Sequence, residues 1–385
     1  MKKLLLTISL LLTSFCAMSF NTNISANTTR NSTTKPEENT KIQVAILLDT
    51  SGSMDGLIEQ AKSRLWNIVN TLTTLKYSGK TPTIEIALYE YGNDGIAAEK
   101  NYIRQVTPLT TDLDLISEKL FSLRTNGGSE YCGAVISDAT KELKWDDGKN
   151  NMKLVYICGN EGFNQGPINY KEAINDALKK DIYINTIFCG NQNDGIQLLW
   201  KDGADVAKGK YFNINSNETI RYIATPYDVR INELNIKINM TYISYGAQGE
   251  AKKMNQAVQD KNAESISVAN FTERAVSKSK AVYTNTNWDL VDRVKEDEDA
   301  ISKIKPEELP TELKGKSEKE IKIIVVEKTK EREAIQKEIA ELAKKRQDYI
   351  DAEAKKQNTT DDLGNAISNS IIELAKTKKY TQDKK

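Results

Sequence analysis

Apolar and polar positions along this chain change their period in a regular order. Runs that are apolar at nearly every position, at 43–49, 84–92, 153–159 and 182–190, read as strands buried on both faces, with shorter strand patterns at 102–106 and 211–215. Between them lie stretches with helical spacing, at about 55–76, 112–122, 131–144, 169–179 and 194–207. Strands alternating with helices predict an α/β fold, a doubly wound and mostly parallel sheet with helices on both faces. Ligands of such sheets sit beyond the carboxyl ends of the strands, where strand order reverses. The loops expected there are 49–54, 92–97, 124–130, 159–166 and 190–195, all rich in Gly, Asn, Ser or acid.

After about residue 216 the alternation stops and charged helical patterns follow, at 225–246 and 250–275, then a less regular stretch that ends at Pro306 and Pro310. Residues 317–356 contain neither Pro nor Gly. Within them Ile335, Ile339, Leu342 and Tyr349 form an apolar seam with Arg346 at one of its positions. The seam predicts a partly coiled-coil helix that pairs either with another helix of the chain or with a second copy. A shorter amphipathic segment at 366–377 closes the chain. The resulting division is a leader at 1–26, a polar tether at 27–40, an α/β domain at 41–240, a helical and irregular linker at 241–316, a long charged helix at 317–358, and a tail at 359–385.

Composition narrows the functions available. The 385 residues carry 54 basic and 54 acidic side chains, so no net field favours nucleic acid as a partner. The chain has no histidine, which removes Ser-His-Asp and Cys-His catalysis and the imidazole ligands of catalytic zinc. The first twenty residues, two lysines followed by a short apolar core and small residues, have the layout of an export signal, with cleavage expected after Ser19 or Ala26. The protein is therefore expected in the periplasm or at the cell surface. Lipidation at Cys16 is the alternative that would tie it to a membrane, although Phe15 replaces the small residue such a site prefers. Cleavage leaves Cys132, Cys158 and Cys189. Because Cys158 sits in a buried strand, Cys132 with Cys189 is the expected disulfide.

The most informative chemistry lies where the first strand stops, at Asp49, Ser51 and Ser53. A tight turn with alternating Asp and Ser aims several oxygens at one point, as a hard dication requires. Equally, these residues can simply cap the following helix. The run LLDTSGSM resembles the Asp-x-Ser-x-Ser metal-ion-dependent adhesion site of von Willebrand factor A domains. The stretches SEYCGAVI, GNEGFNQGP, TYISYG and NWDLVD resemble one group of exported bacterial von Willebrand A proteins with a C-terminal coiled helix. The resemblance implies a bound Mg²⁺, or Mn²⁺ or Ca²⁺, and a second-loop hydroxyl from Ser129, with Thr125 competing. It also implies Thr-Asp-Gly at the end of the fourth strand, where this chain reads Cys158, Gly159, Asn160, Glu161. Glu161 or Asn160 is the expected substitute. The function it implies is non-enzymatic: a partner's acidic side chain completes the metal coordination. An envelope scaffold without a working ion, assembling through its long helix, is the alternative.

Overall fold

The apolar runs become strands covered on both faces. The computed structural model describes residues 40–215, 222–357 and 362–382; the leader, Cys16 and almost all of the tether lie outside the described residues. In chain order the elements are β1 (Lys41–Asp49), α1 (Asp55–Leu72), β2 (Leu75–Tyr77), β3 (Thr83–Tyr91), β4 (Ile103–Thr110), α2 (Leu113–Ser122), α3 (Cys132–Glu142), β5 (Met152–Gly159), α4 (Tyr170–Lys179) and β6 (Ile182–Cys189). There follow α5 (Gln192–Gln197), α6 (Trp200–Val206), β7 (Tyr211–Ile214), α7 (Asp228–Asn239), α8 (Gly249–Ile266), α9 (Val268–Lys278), α10 (Leu290–Glu296), α11 (Ala300–Lys303), α12 (Glu318–Gln357), α13 (Asp362–Thr377) and β8 (Tyr380–Gln382). The main sheet has the order β4-β3-β1-β5-β6-β7 and is parallel except for β4, which runs antiparallel to β3 at one edge.

Alternation along the central strands sorts the core into two layers. Ile42, Val44 and Leu48 of β1 join one layer, with α1, α2 and α13; Ala45 and Leu47 join the other, with α3, α4 and α6. The last helix of the chain thus helps cover the first face of the sheet, placing Ile367 and Ile371 against it. At about 1.5–3 kcal/mol for each fully buried isoleucine, that seam is a sizeable share of a domain's net stability. Beyond it, β8 pairs antiparallel with β2, and the Tyr380 hydroxyl donates to the carbonyls of Lys41 and Asn150.

The charged helices are part of the same compact unit, Asn39–Lys385. Helix α12, about 60 Å long at 1.5 Å per residue, begins with a reciprocal cap in which Ser317 Oγ accepts from the Glu320 backbone N–H and Glu320 accepts from the Ser317 backbone N–H. Its seam is used within the chain: Ile335 and Ile339 are buried in the layer that also holds Ile231, Leu234 and Ile238 of α7, whereas Tyr349 is exposed. Arg346, the charged position in the seam, is buried because Asp228 of α7 accepts from its Nε at 2.9 Å. Arg332 similarly meets Asp289 at 2.7 Å and lies over the Tyr242 ring. Arg274 of α9 is fully buried between Asp114 of α2, at 2.8 Å, and Asp260 of α8, at 2.6 Å.

Some expectations are corrected. The helix read at 194–207 is two helices, because Leu199 takes a left-handed conformation (φ 70°) and turns Trp200 into the core. The strand read at 102–106 extends to Thr110. Three-residue β2 and β8 were too short to show a period. The expected disulfide between Cys132 and Cys189 is absent: all three described cysteines are free and buried. Cys132 belongs to the α3 side of the sheet and Cys189 to the α1 side, so the sheet itself stands between them.

Two substitutions test this reading of the helical region, by urea unfolding. Arg274→Met is expected to lower stability by about 3–5 kcal/mol, the usual result of stripping one partner from a buried ion pair. Ile371→Ala is expected to cost about 2–5 kcal/mol. Losses below 1 kcal/mol in both would mean that the helices rest loosely on the sheet.

Candidate metal centre

Neighbouring strands β1 and β5 continue in opposite directions across the sheet, β1 toward β3 and β5 toward β6. Their carboxyl ends are therefore the point where strand order reverses, and Asp49 and Gly159 are their last residues. Asp49 is fully buried, and its Oδ1 accepts the backbone N–H of Ser51 at 2.7 Å. The turn is pinned by Thr50 N donating to Tyr91 O, and Ser51 Oγ lies 3.3 Å from Ser53 Oγ.

Two further loops close on this turn. Asn126 N donates to Thr50 O at 3.0 Å, which holds loop 124–130 against it, and Asn160 Nδ2 donates to Ser53 Oγ at 3.1 Å, which brings in the end of β5. The helix-cap reading fails for these hydroxyls. Helix α1 starts from Met54 and α3 from Tyr131, each without a side-chain cap. Thr125 donates its hydroxyl to Asp55, whereas Ser129, half-buried one residue before Glu130, makes no hydrogen bond among the described residues.

The residue that reading the sequence missed is Glu130. Its side chain is buried beside Asp49: a Cβ placed on Gly92 would lie 2.8 Å from Glu130 Cγ and 2.9 Å from Asp49 Oδ1. Gly92 is required there twice over, for that space and for its positive φ of 76°. Burial, then the neighbouring Asp49 carboxyl, push Glu130 up to about 9, and burial raises Asp49 as well. Glu161 adds to both with its charge from the rim, where it is exposed and accepts from Gln165 Nε2. The only signal for Glu130 was its position next to Ser129, and an acid beside a loop hydroxyl is ordinarily just solvated.

The expected fourth-strand aspartate has a specific obstacle. A Cβ on Gly159 would come within 2.5 Å of the Tyr91 hydroxyl and 3.1 Å of Asp49 Oδ2. Tyr91 is fixed there by donating to Cys158 O at 2.8 Å. The neighbouring loop is anchored rather than free: Phe163 is fully buried against Trp200, whose indole N–H donates to Glu161 O at 2.7 Å.

The donor set suits a hard dication. Asp49 Oδ2 and Asn160 Oδ1 are buried with no protein N–H or O–H assigned to them, and carboxylates and hydroxyls stand around them. Among the described residues no three His, Cys, Asp or Glu side chains converge as a metal-binding group; here two buried carboxyls stand with hydroxyls and an amide.

Residues 43–225 match the sequence profile of the von Willebrand factor type A domain, and this segment is such a domain. Solved structures similar to it include an aerotolerance-related membrane protein from Bacteroides fragilis NCTC 9343 carrying multiple mutations to serines, at 17% identity over 46% of this chain and 93% of that one, with a TM-score of 0.33. The SpRpn10 VWA domain matches at 17% identity over 45% of this chain and 87% of that one, TM-score 0.32. The pilus adhesin SpaC from Lactobacillus rhamnosus GG, in its open conformation, matches at 12% identity over 46% and 28%, TM-score 0.33. No curated protein sequence matches the chain.

A proton held on Glu130 in the fold but not in the unfolded chain makes stability fall as pH rises. The folded state binds more protons between the ordinary glutamate value near 4.5 and about 9, so this site weakens the chelated protein by up to about 1.4 kcal/mol per pH unit in that window. Thermal melts in EDTA are expected to show that fall, and Glu130→Gln to flatten it. An unchanged slope in the variant would remove Glu130 from the carboxyl pair.

Proposed function

We propose that this chain is a non-enzymatic binding protein whose A domain holds a dication and presents it to an acidic group of a protein partner. One observation carries the reading: two carboxyls, Asp49 and Glu130, are buried side by side at the strand-order reversal, close enough that each shifts the other's titration. Without a cation the pair is kept from ionising together by mutual repulsion in a medium that screens poorly, and a bound dication would take the place of the Glu130 proton. Asp49, Ser51 and Ser53 would hold it with Ser129 and Glu130, and Glu161 would add negative charge at the rim. When bound, Mg²⁺, Mn²⁺ or Ca²⁺ would supply a Lewis-acidic face for an incoming carboxylate.

The chain's own residues do the rest. Phe163 and Trp200 keep the 159–166 loop in place, and Gly128 lets the 124–130 loop approach Gly92 closely. Export to the periplasm or cell surface follows from the leader-like first residues, with lipidation at Cys16 as the route to a membrane. No helix among the described residues is long and apolar enough to cross a bilayer. Assembly through the α12 seam, the scaffold reading, has less support, since Ile335 and Ile339 already pack inside the chain. Von Willebrand A domains are in general interaction modules, and the absence of histidine leaves proton transfer at this site to carboxylates better placed as ligands.

Calorimetric titration of each dication into the chelated protein tests the site. Wild type is expected to bind one ion, Asp49→Ala none, and Glu130→Gln at least tenfold more weakly. Equal heats from wild type and Asp49→Ala would end the reading.

A further inference from the structure

The charge of this chain is balanced in total but not in place. The β2–β8 ribbon marks the pole of the sheet where the parallel strands have their amino ends, for the Tyr380 hydroxyl donates there to Lys41 O and Asn150 O, beside the starts of β1 and β5. The nine residues of β1 separate this pole from Asp49, about 30 Å at 3.3 Å per residue.

Lysine collects at the ribbon. Residues 60–84, which contain β2, hold no Asp or Glu, and neither do residues 374–382, which end α13 and contain β8. Ribbon and helix end carry Lys76, Lys80, Lys376, Lys378 and Lys379. Of these, Lys80, Lys376 and Lys379 are exposed and Lys76 is half-buried. A tight turn fixes the first two: Ser78 and Gly79 both take positive φ (49° and 79°), and Tyr77 and Lys80 exchange backbone hydrogen bonds at 2.9 Å. The acids at this pole are fewer and engaged. Asp181 pairs with Lys378, and Glu85 and Asp146 both face Lys41. The stretch 144–153 adds three lysines against two aspartates. The carboxyl end of α13 favours the cations in its last turn, but not Lys76 and Lys80 across the ribbon.

The chain also enters the fold here. Thr40, whose carbonyl accepts from Thr83 N, is where the polar segment 27–40 and the leader-like first residues join β1. We propose that the β2–β8 pole docks on an anionic lipid surface, with Lys76, Lys80, Lys376 and Lys379 against the headgroups and the Asp49 turn held outward. A chain tied to a membrane by its start presents this pole to it. A lysine within a Debye length of an anionic surface is worth about fivefold in partitioning, and a basic patch is the second signal that a single lipid chain needs. The docking requires no ion at Asp49, so it stands or falls apart from the dication reading.

Flotation of the full chain with vesicles of phosphatidylglycerol and phosphatidylcholine in equal parts tests it, in EDTA so that no dication bridges protein and lipid. Vesicles of phosphatidylcholine alone measure what the leader-like residues contribute. Wild type is expected to float with the anionic vesicles and to be released by about 0.5 M NaCl, where the Debye length falls to about 4 Å. Lys76→Gln, Lys80→Gln, Lys376→Gln and Lys379→Gln together are expected to weaken binding by about thirtyfold or more, and arginine at the same four positions to restore it. Glutamine at Lys314, Lys316, Lys319 and Lys322, exposed around the start of α12, is expected to change it by less than about twofold. Should the fourfold variant lose its melting transition, Lys376→Gln with Lys379→Gln is read instead, with a loss of about fivefold or more expected. Equal flotation with neutral and anionic vesicles overturns the proposal, as does an equal loss in the α12 set, which would mean net charge alone. Release by millimolar inorganic phosphate at constant ionic strength overturns it too, by revealing a discrete phosphate site in place of a lipid-docking face.

Discussion

A parallel sheet buried on both faces needs apolar cover on each, and meeting that need organises this whole molecule. One face is closed by α3, α4 and α6, all from the middle of the chain. The other is closed by α1 and α2 together with α13, more than 290 residues after α1 begins. Because the chain must return for that last helix, α7 to α12 are drawn in around it. Their burial of Arg274, Arg332 and Arg346 against aspartates then ties each to a defined neighbour. Apolar contacts alone tolerate sliding; a buried guanidinium with its carboxylate tolerates very little.

At the turn after β1 the same sheet brings the candidate ligand oxygens together. The acid expected at the end of β5 is prevented by Tyr91, whose hydroxyl would lie 2.5 Å from a Cβ on Gly159. Glu130, on the loop between α2 and α3, brings a carboxyl to Asp49. A second carboxyl thus stands at the centre, on a loop rather than at the strand end. The reciprocal relation among Gly92, Tyr91 and Gly159 is steric: each glycine yields room to a side chain that its neighbour positions.

Much of this was legible in the letters. Runs such as VAILLD and KLVYICG have no other comfortable home than a central parallel strand; of the site residues expected from the motif, Asp49, Ser51 and Ser53 share one turn with Asn160, while Glu161 is exposed at its rim and Ser129 makes no hydrogen bond among the described residues. What could not be read was anything depending on distant parts of the chain. Glu130 is ordinary until Gly92 is seen to make room beside Asp49. Arg346 looked like a defect in a seam until Asp228, over a hundred residues earlier, was found opposite it. The break at Leu199 leaves no mark in helical spacing, since it is Trp200's place in the core that requires it. The thiol pairing failed for a similar reason, as sidedness of a sheet is a property of register and not of composition.

The three buried thiols carry a consequence for how the protein comes to exist. Burial pushes each of them well above the ordinary cysteine range, so little thiolate is available to react. Among the described residues folding then needs neither an oxidant nor a pairing catalyst, and the folded body buries each of its thiols away from the surrounding redox poise. A body of this kind keeps its shape through swings between air and reductant that would unmake a fold stapled by disulfides.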